Sequence, residues 1–146
     1  MHLKKFLLQS LLVSIFAGCA QKNPYTPEKI VFVAPMQDII GGLHNEFKFD
    51  TITFSGLRLE VADSRTIDLR VAILNPSFKE NEIRFAYLMA KKVKGYVKNI
   101  DNFNVISIDL TFRKENGLNY VEKTRKVLFD QAPLKLISAT EYFNRR

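Results

Sequence analysis

The 146-residue chain has one cysteine, two histidines, six glycines and no tryptophan. A single thiol, Cys19, excludes any disulfide within the chain, so stability must come from the core alone. His2 lies in the N-terminal leader, which leaves His44 as the only other imidazole, and a zinc site with the usual nitrogen and sulfur ligands cannot be assembled. Gly41-Gly42 is not followed by the Gly-Lys-Ser/Thr of a phosphate loop. The apolar run at residues 6–16, broken only by Gln9, Ser10 and Ser14, is about half the roughly 20 residues that cross a bilayer, and no longer one follows.

That run is the right length for the apolar segment of a cleaved secretory signal, and Lys4 and Lys5 supply the basic start. Small residues, Ala17-Gly18, directly precede Cys19. The order Phe16-Ala17-Gly18-Cys19 resembles the lipobox of bacterial lipoproteins, with Phe16 standing where that family prefers leucine. The resemblance covers only residues 1–19. It implies that the thiol of Cys19 is diacylated, that residues 1–18 are removed, and that the new amino group can be acylated as well. Two or three acyl chains, at about 0.8 kcal/mol per buried methylene, make a permanent anchor. Ala20 stands where an aspartate would imply retention at the inner membrane. The resemblance therefore implies an outer-membrane lipoprotein; its domain is expected in the periplasm, with the cell surface as the alternative.

Without the leader, 128 residues remain, enough for one domain around one core. The leader carries two of the 22 basic residues and none of the 15 acidic ones, so the rest sums to +5. That balance favours acidic headgroups or polyanions without requiring them. Twelve Phe and five Tyr supply large apolar side chains for a small core. The expected organisation is a signal peptide at 1–18, an acylated cysteine, tether and irregular lead-in at 19–45, and a single domain at 46–146. Residues 20–29, polar and with two prolines, suit an extended tether. The run at 30–33 suits an edge strand or a segment packed on the body, and Gly41-Gly42 a turn.

From Glu46 onward the pattern is β-rich. The alternation slips at Asp50-Thr51, which reads as a bend, and resumes through Leu57, Leu59 and Val61. Ile67, Leu69, Val71 and Ile73 alternate with Asp68 and Arg70 up to Asn75-Pro76. The period then changes to that of a helix, expected from about residue 78 to 99. Ser77 and Glu80 would form its capping box, and Ile83, Ala86, Met89, Ala90, Val93, Val97 and Ile100 its apolar face. Ile106, Ile108, Leu110 and Phe112 restore period two, Asn116-Gly117 marks a hairpin turn, and residues 118–129 form the partner strand. Pro133 would open a short C-terminal helix. The order β-β-α-β-β implies an α+β fold: an antiparallel sheet with one long helix packed on one face.

Candidate chemistry is sparse. His44 sits in a polar stretch with no nucleophile motif and reads as a solvated loop residue. Asp63 and Asp68 bracket a turn, while Glu80 and Glu82 are explained by the start of the helix, so neither pair reads as a catalytic couple. No catalytic residue, metal ligand or cofactor site is assigned. The surface feature that stands out is the basic helix flank, where Arg84, Lys91, Lys94 and Lys98 could meet an anionic partner. The reading that results is a non-enzymatic lipoprotein, an accessory or assembly subunit of a cell-envelope complex that acts through protein–protein contact. Its implied partners are the membrane, through Cys19, and an envelope protein, with no nucleic acid. The alternative is a module that binds a small molecule or wall polymer in a pocket between sheet and helix. A hydrolase would have to run through His44, Asp63 or Asp68, and the shortage of His and Cys argues against it.

Cys19→Ser should abolish metabolic labelling with palmitate and release the chain from the membrane fraction. Retained label would remove the lipobox reading.

Overall fold

The computed structural model describes residues 25–61, 64–79 and 81–145. Cys19, the leader, Asp63 and Glu80 lie outside them. Six strands form one curled, mixed sheet in chain order: β1 (Tyr25–Glu28), β2 (Thr51–Val61), β3 (Ser64–Leu74), β4 (Val105–Asn116), β5 (Asn119–Asp130) and β6 (Lys135–Ile137). The helices are α1 (Met36–Glu46), α2 (Glu82–Tyr96) and α3 (Ala139–Asn144).

This corrects the expected fold class. The sheet has six strands rather than four, strands dominate, and β3 and β4 run parallel, Asp68 opposite Val105 through Leu74 opposite Thr111. The cause is the connection. A helix carries the chain from the end of β3 back to the level where β3 began, so a neighbouring strand that starts there must run the same way. Strand periodicity reveals which segments are strands but not which edges meet. All other neighbours in the sheet are antiparallel.

Helix α2 is shorter than the expected 78–99. Its N-cap is Asn81, whose side chain accepts from the Arg84 backbone N–H at 2.8 Å. Ser77 is not a cap; its N–H donates to Lys48 O at 2.8 Å in an isolated β-bridge. Ala86, Met89, Ala90 and Val93 are fully buried, as their spacing implies, and Phe85 joins them. They pack in one core with Leu69, Val71 and Ile73 of β3, Ile106, Ile108 and Leu110 of β4, and Phe129 of β5. These side chains occupy the space between α2 and the sheet, where the alternative reading would place a ligand pocket.

The lead-in is also more ordered than expected. Part of the supposed tether is strand β1, which pairs with residues 56–59 of β2 and is held by Arg58 Nε on Glu28 Oε2 at 3.0 Å. Gly56 lies within β2. A Cβ there would stand 2.2 Å from Glu28 O, so only glycine admits β1 at this distance. Gly41-Gly42 is not a turn but lies within α1, whose Ile39 and Leu43 are buried in the core. Residues 31–33 pack on the body: Val33 N–H donates to Tyr96 O and Lys98 N–H to Val31 O.

β3 ends where Asn75 adopts φ +48°, a conformation asparagine tolerates. Its N–H donates to Thr111 O at 2.7 Å, and its Oδ1 accepts from Arg113 N–H at 2.7 Å. Beyond Thr111, the last residue of β4 that pairs with β3, β4 and β5 continue alone for five residues of β4, about 17 Å at a strand rise of about 3.3 Å. The turn of this arm is Gly117-Leu118, one residue later than expected. Gly117 has φ +64° and Leu118 does not share the positive φ, the geometry of a type II′ turn.

Met89→Ala should lower unfolding free energy by about 2–5 kcal/mol, because Met89 is fully buried between α2 and the sheet. Urea denaturation checks this, with an unchanged m-value expected.

A candidate interaction site along the free edge of β5

Period two sends alternate residues of β4 and β5 to opposite faces of the sheet. On the α2 side stand Ile106, Ile108, Leu110, Phe112 and Lys114, with Phe129, Val127, Arg125, Lys123 and Val121 respectively across from them. Where α2 covers this face the positions are apolar and buried; Val121, farther out, is 64% exposed. Beyond it the same face carries Lys123 and Arg125, and every residue from 113 to 126 is exposed. The arm is held by cross-strand pairs instead of a core. Arg113 Nε donates to Glu122 Oε1 at 2.7 Å, the Arg113 guanidinium lies 4.7 Å from the Tyr120 ring centre, and the Thr111 and Thr124 hydroxyls are 2.9 Å apart. Arg125 Nη1 donates to Glu82 Oε2 of α2 at 2.6 Å and ties the arm's root to the helix.

The opposite face of the sheet holds a second, smaller apolar cluster: Val105, Leu128, Ile137 and Tyr142. Further along that face the layer becomes polar. Asp109, 1% exposed, accepts from Arg70 Nε at 2.6 Å and from Ser107 Oγ at 2.9 Å, and Lys126 Nζ lies 3.4 Å away. Arg70 and Lys126 cover the carboxylate with their stems while their own side chains stay 42% and 49% exposed. Tyr142 donates to Asp68 Oδ2 and fastens α3 to β3. Asp68 is thereby a structural partner.

Between these faces, at the outer edge of the sheet, lies an open groove of about 590 Å³. α2 contributes Ile83, β5 contributes Lys126, Val127 and Leu128, and the wall is built by Leu136 of β6 with Tyr142 and Phe143 of α3. Ile83, Leu136 and Phe143 are 52%, 44% and 59% exposed. Ile83 was expected in the core. It is the second residue of α2, on the flank beside the groove. β6 pairs only with residues 128–130 of β5, so among the described residues nothing pairs with the outer edge of β5 at 119–127. The groove therefore opens where that free edge begins. The segment after β5 was expected to become helical at Pro133. It turns through a cis Ala132–Pro133 bond, adds β6, and only then forms α3. The signal for α3 was Ser138 followed by Glu141, a capping box in which Ser138 N–H donates to Glu141 Oε2 at 2.9 Å and Glu141 N–H to Ser138 Oγ at 3.1 Å.

The basic flank of α2 is divided between surroundings. Lys94 Nζ donates to Gln131 O at 2.7 Å, a bond that fixes the β5–β6 turn. Arg84 and Lys91, seven residues apart, lie near one line on the helix and are exposed. Lys98 falls beyond the end of α2 and is also exposed. Lys91 borders a second cleft, of about 590 Å³, with Phe47, Leu88, Lys92 and Tyr96. There Lys92 is paired with Glu46 of α1. His44 is not in a loop: it lies on α1, half-buried, with its ring stacked 3.9 Å from that of Phe49. Glu82 opens α2 and is occupied by Arg125. No group of three or more His, Cys, Asp or Glu among the described residues is placed to hold a metal ion, and no helix among them is long and apolar enough to cross a membrane.

Compared with known proteins, the chain matches no family model, no curated protein and no solved structure.

α3 walls the groove, so its cap bears on the site. The Ser138 backbone N–H, with the Ser138 hydroxyl adding to it, holds the Glu141 carboxyl below the usual glutamate range. The folded state thus disfavours the proton: the cap stabilises α3 above the ordinary glutamate pKa and is lost as pH falls through the lowered one. A carboxyl NMR titration of Ser138→Ala should show the Glu141 pKa rising, with faster amide exchange in α3 at neutral pH.

Proposed function

We propose that this chain is a non-enzymatic, lipid-anchored accessory or assembly subunit of a cell-envelope complex, and that it works by protein–protein contact. Cys19 carries the lipid and holds the domain at the outer membrane on its periplasmic side. The observation that carries the reading is the groove, in which Ile83, Leu136 and Phe143 stand exposed together around the start of a strand edge that is unpaired among the described residues. Large apolar side chains gathered in one concave surface mark a contact site, whereas single ones scattered over a surface do not. Anchoring adds to this by confining the domain to one surface and raising its effective concentration there. The filled space beneath α2 removes support from a ligand pocket at that position.

Crosslinked envelopes should yield a reproducible partner with the wild-type chain. Phe143→Asp should reduce that recovery at least about tenfold while membrane anchoring and the circular dichroism spectrum stay unchanged, since Phe143 is exposed. Recovery of the lipoprotein alone from wild-type envelopes would overturn the proposal.

A further inference from the structure

We infer that the partner engages this chain as an added β-strand: an extended, acidic segment that pairs with the outer edge of β5 along residues 119–127 and ends in the groove beside β6. The inference rests on the proposed function and adds the partner's backbone conformation and charge. Three observations carry it.

The first is the length of the free edge. β6 covers three residues of β5 and leaves nine, longer than a typical strand of five or six residues. Every second residue along that edge directs its backbone N–H and C=O outward, and an unpaired edge is a template for another strand. The second is continuity. An added strand would run in line with β6, and its end would meet Ile83, Leu136 and Phe143 where the groove opens. The exposed apolar residues and the unpaired backbone groups then belong to one surface.

The third is charge. Residues 113–126 carry Arg113, Lys114, Lys123, Arg125 and Lys126 against Glu115 and Glu122, a net +3. Lys114, Lys123 and Arg125 share the α2 face of the arm, and no acidic residue of the arm lies on that face. An added strand with carboxylates at alternate positions would set them beside Lys123 and Arg125. Glu82 already makes such a contact with Arg125 at 2.6 Å. A second copy fits less well, because two arms of net +3 would lie side by side. A lipid surface fits less well for a geometric reason. The chain enters the sheet at the level of Leu59 and Thr66, while the arm tip lies about 14 residues further along the strand direction, roughly 45 Å away at the opposite end. A domain anchored through Cys19 directs its arm away from the point of attachment.

The test uses the acylated full-length chain in detergent with a synthetic nine-residue peptide that alternates glutamate and valine. By NMR-detected hydrogen exchange, the peptide should slow alternate amides between residues 119 and 127 by about tenfold or more. The same peptide N-methylated at alternate amides should give no protection, and neither should the parent peptide with the Lys114→Glu/Lys123→Glu chain. Both lysines are exposed, and an unchanged melting temperature controls for folding. Equal protection by the methylated peptide, or protection confined to Leu88 and Lys91, would overturn the inference. In cells, a photocrosslinker is placed in turn at Thr124 and at Phe143. A partner adduct from both positions supports strand addition. An adduct from Phe143 alone overturns strand addition and leaves the proposed function standing, whereas none from either position overturns both. A Thr124 adduct of twice the chain's own mass overturns the acidic segment in favour of arm-to-arm pairing.

Discussion

The parallel contact between β3 and β4 is the constraint from which the rest of the molecule follows. Helix α2 must bury Phe85, Ala86, Met89, Ala90 and Val93, and only the face built by β3, β4 and Phe129 offers a matching apolar surface. Packing the helix there returns the chain to the level where β3 started, so β4 runs the same way as β3. The two hairpins then open at opposite ends of the sheet. The β2–β3 turn lies at the end where β1 begins, and the β4–β5 turn lies at the other. Asn75 sharpens this asymmetry by ending β3 and clamping β4 at Thr111 and Arg113.

Much of the strand and helix content was legible because burial obeys the period of each element. Met89 and Val93 were placed correctly, and so were the alternating apolar residues of β3 and β4. The sheet order was not legible, since adjacency of β3 and β4 depends on where a helix docks and not on any residue in either strand. Helix α1 was hidden because its two glycines favour a turn in isolation, and tertiary packing of Ile39 and Leu43 outweighs that preference. Strand β1 was hidden because residues 20–29, polar and with two prolines, read as tether, and nothing in them points to the partner strand that Gly56 lets lie close.

The candidate site was less legible than the fold, for a related reason. Val121 and Val127 share a face with Lys123 and Arg125, so the strand reads as an interrupted core strand. It is better described as a core strand that outruns its core. Ile83 likewise matched the apolar face of α2 but stands at the groove, at the first turn of a helix whose cap, Asn81, lies four residues after the apparent one, Ser77. Asp109 alternates with Ile108 and Leu110, the pattern of a solvent-facing residue, yet it is buried and paired with Arg70 from β3 and Lys126 from β5. In each case local pattern named the face correctly, and the neighbouring element decided whether that face met water. The basic flank of α2 was read as one surface, but Lys94 donates to Gln131 O, whereas Arg84 and Lys91 lie along the exposed side of the helix.

The placement of β1 also has a mechanical meaning. β1 runs along the long axis of the sheet, beginning at the end opposite the arm. Tension between a fixed N-terminus and a load on the arm would act along the strands, at right angles to the bonds that join β1 to β2. Such a load falls on all four paired positions at once, together with the Arg58–Glu28 ion pair, instead of peeling them one by one. A strand of only four residues thus resists pulling in shear, and Gly56, by letting it lie close, sets the strength of the joint.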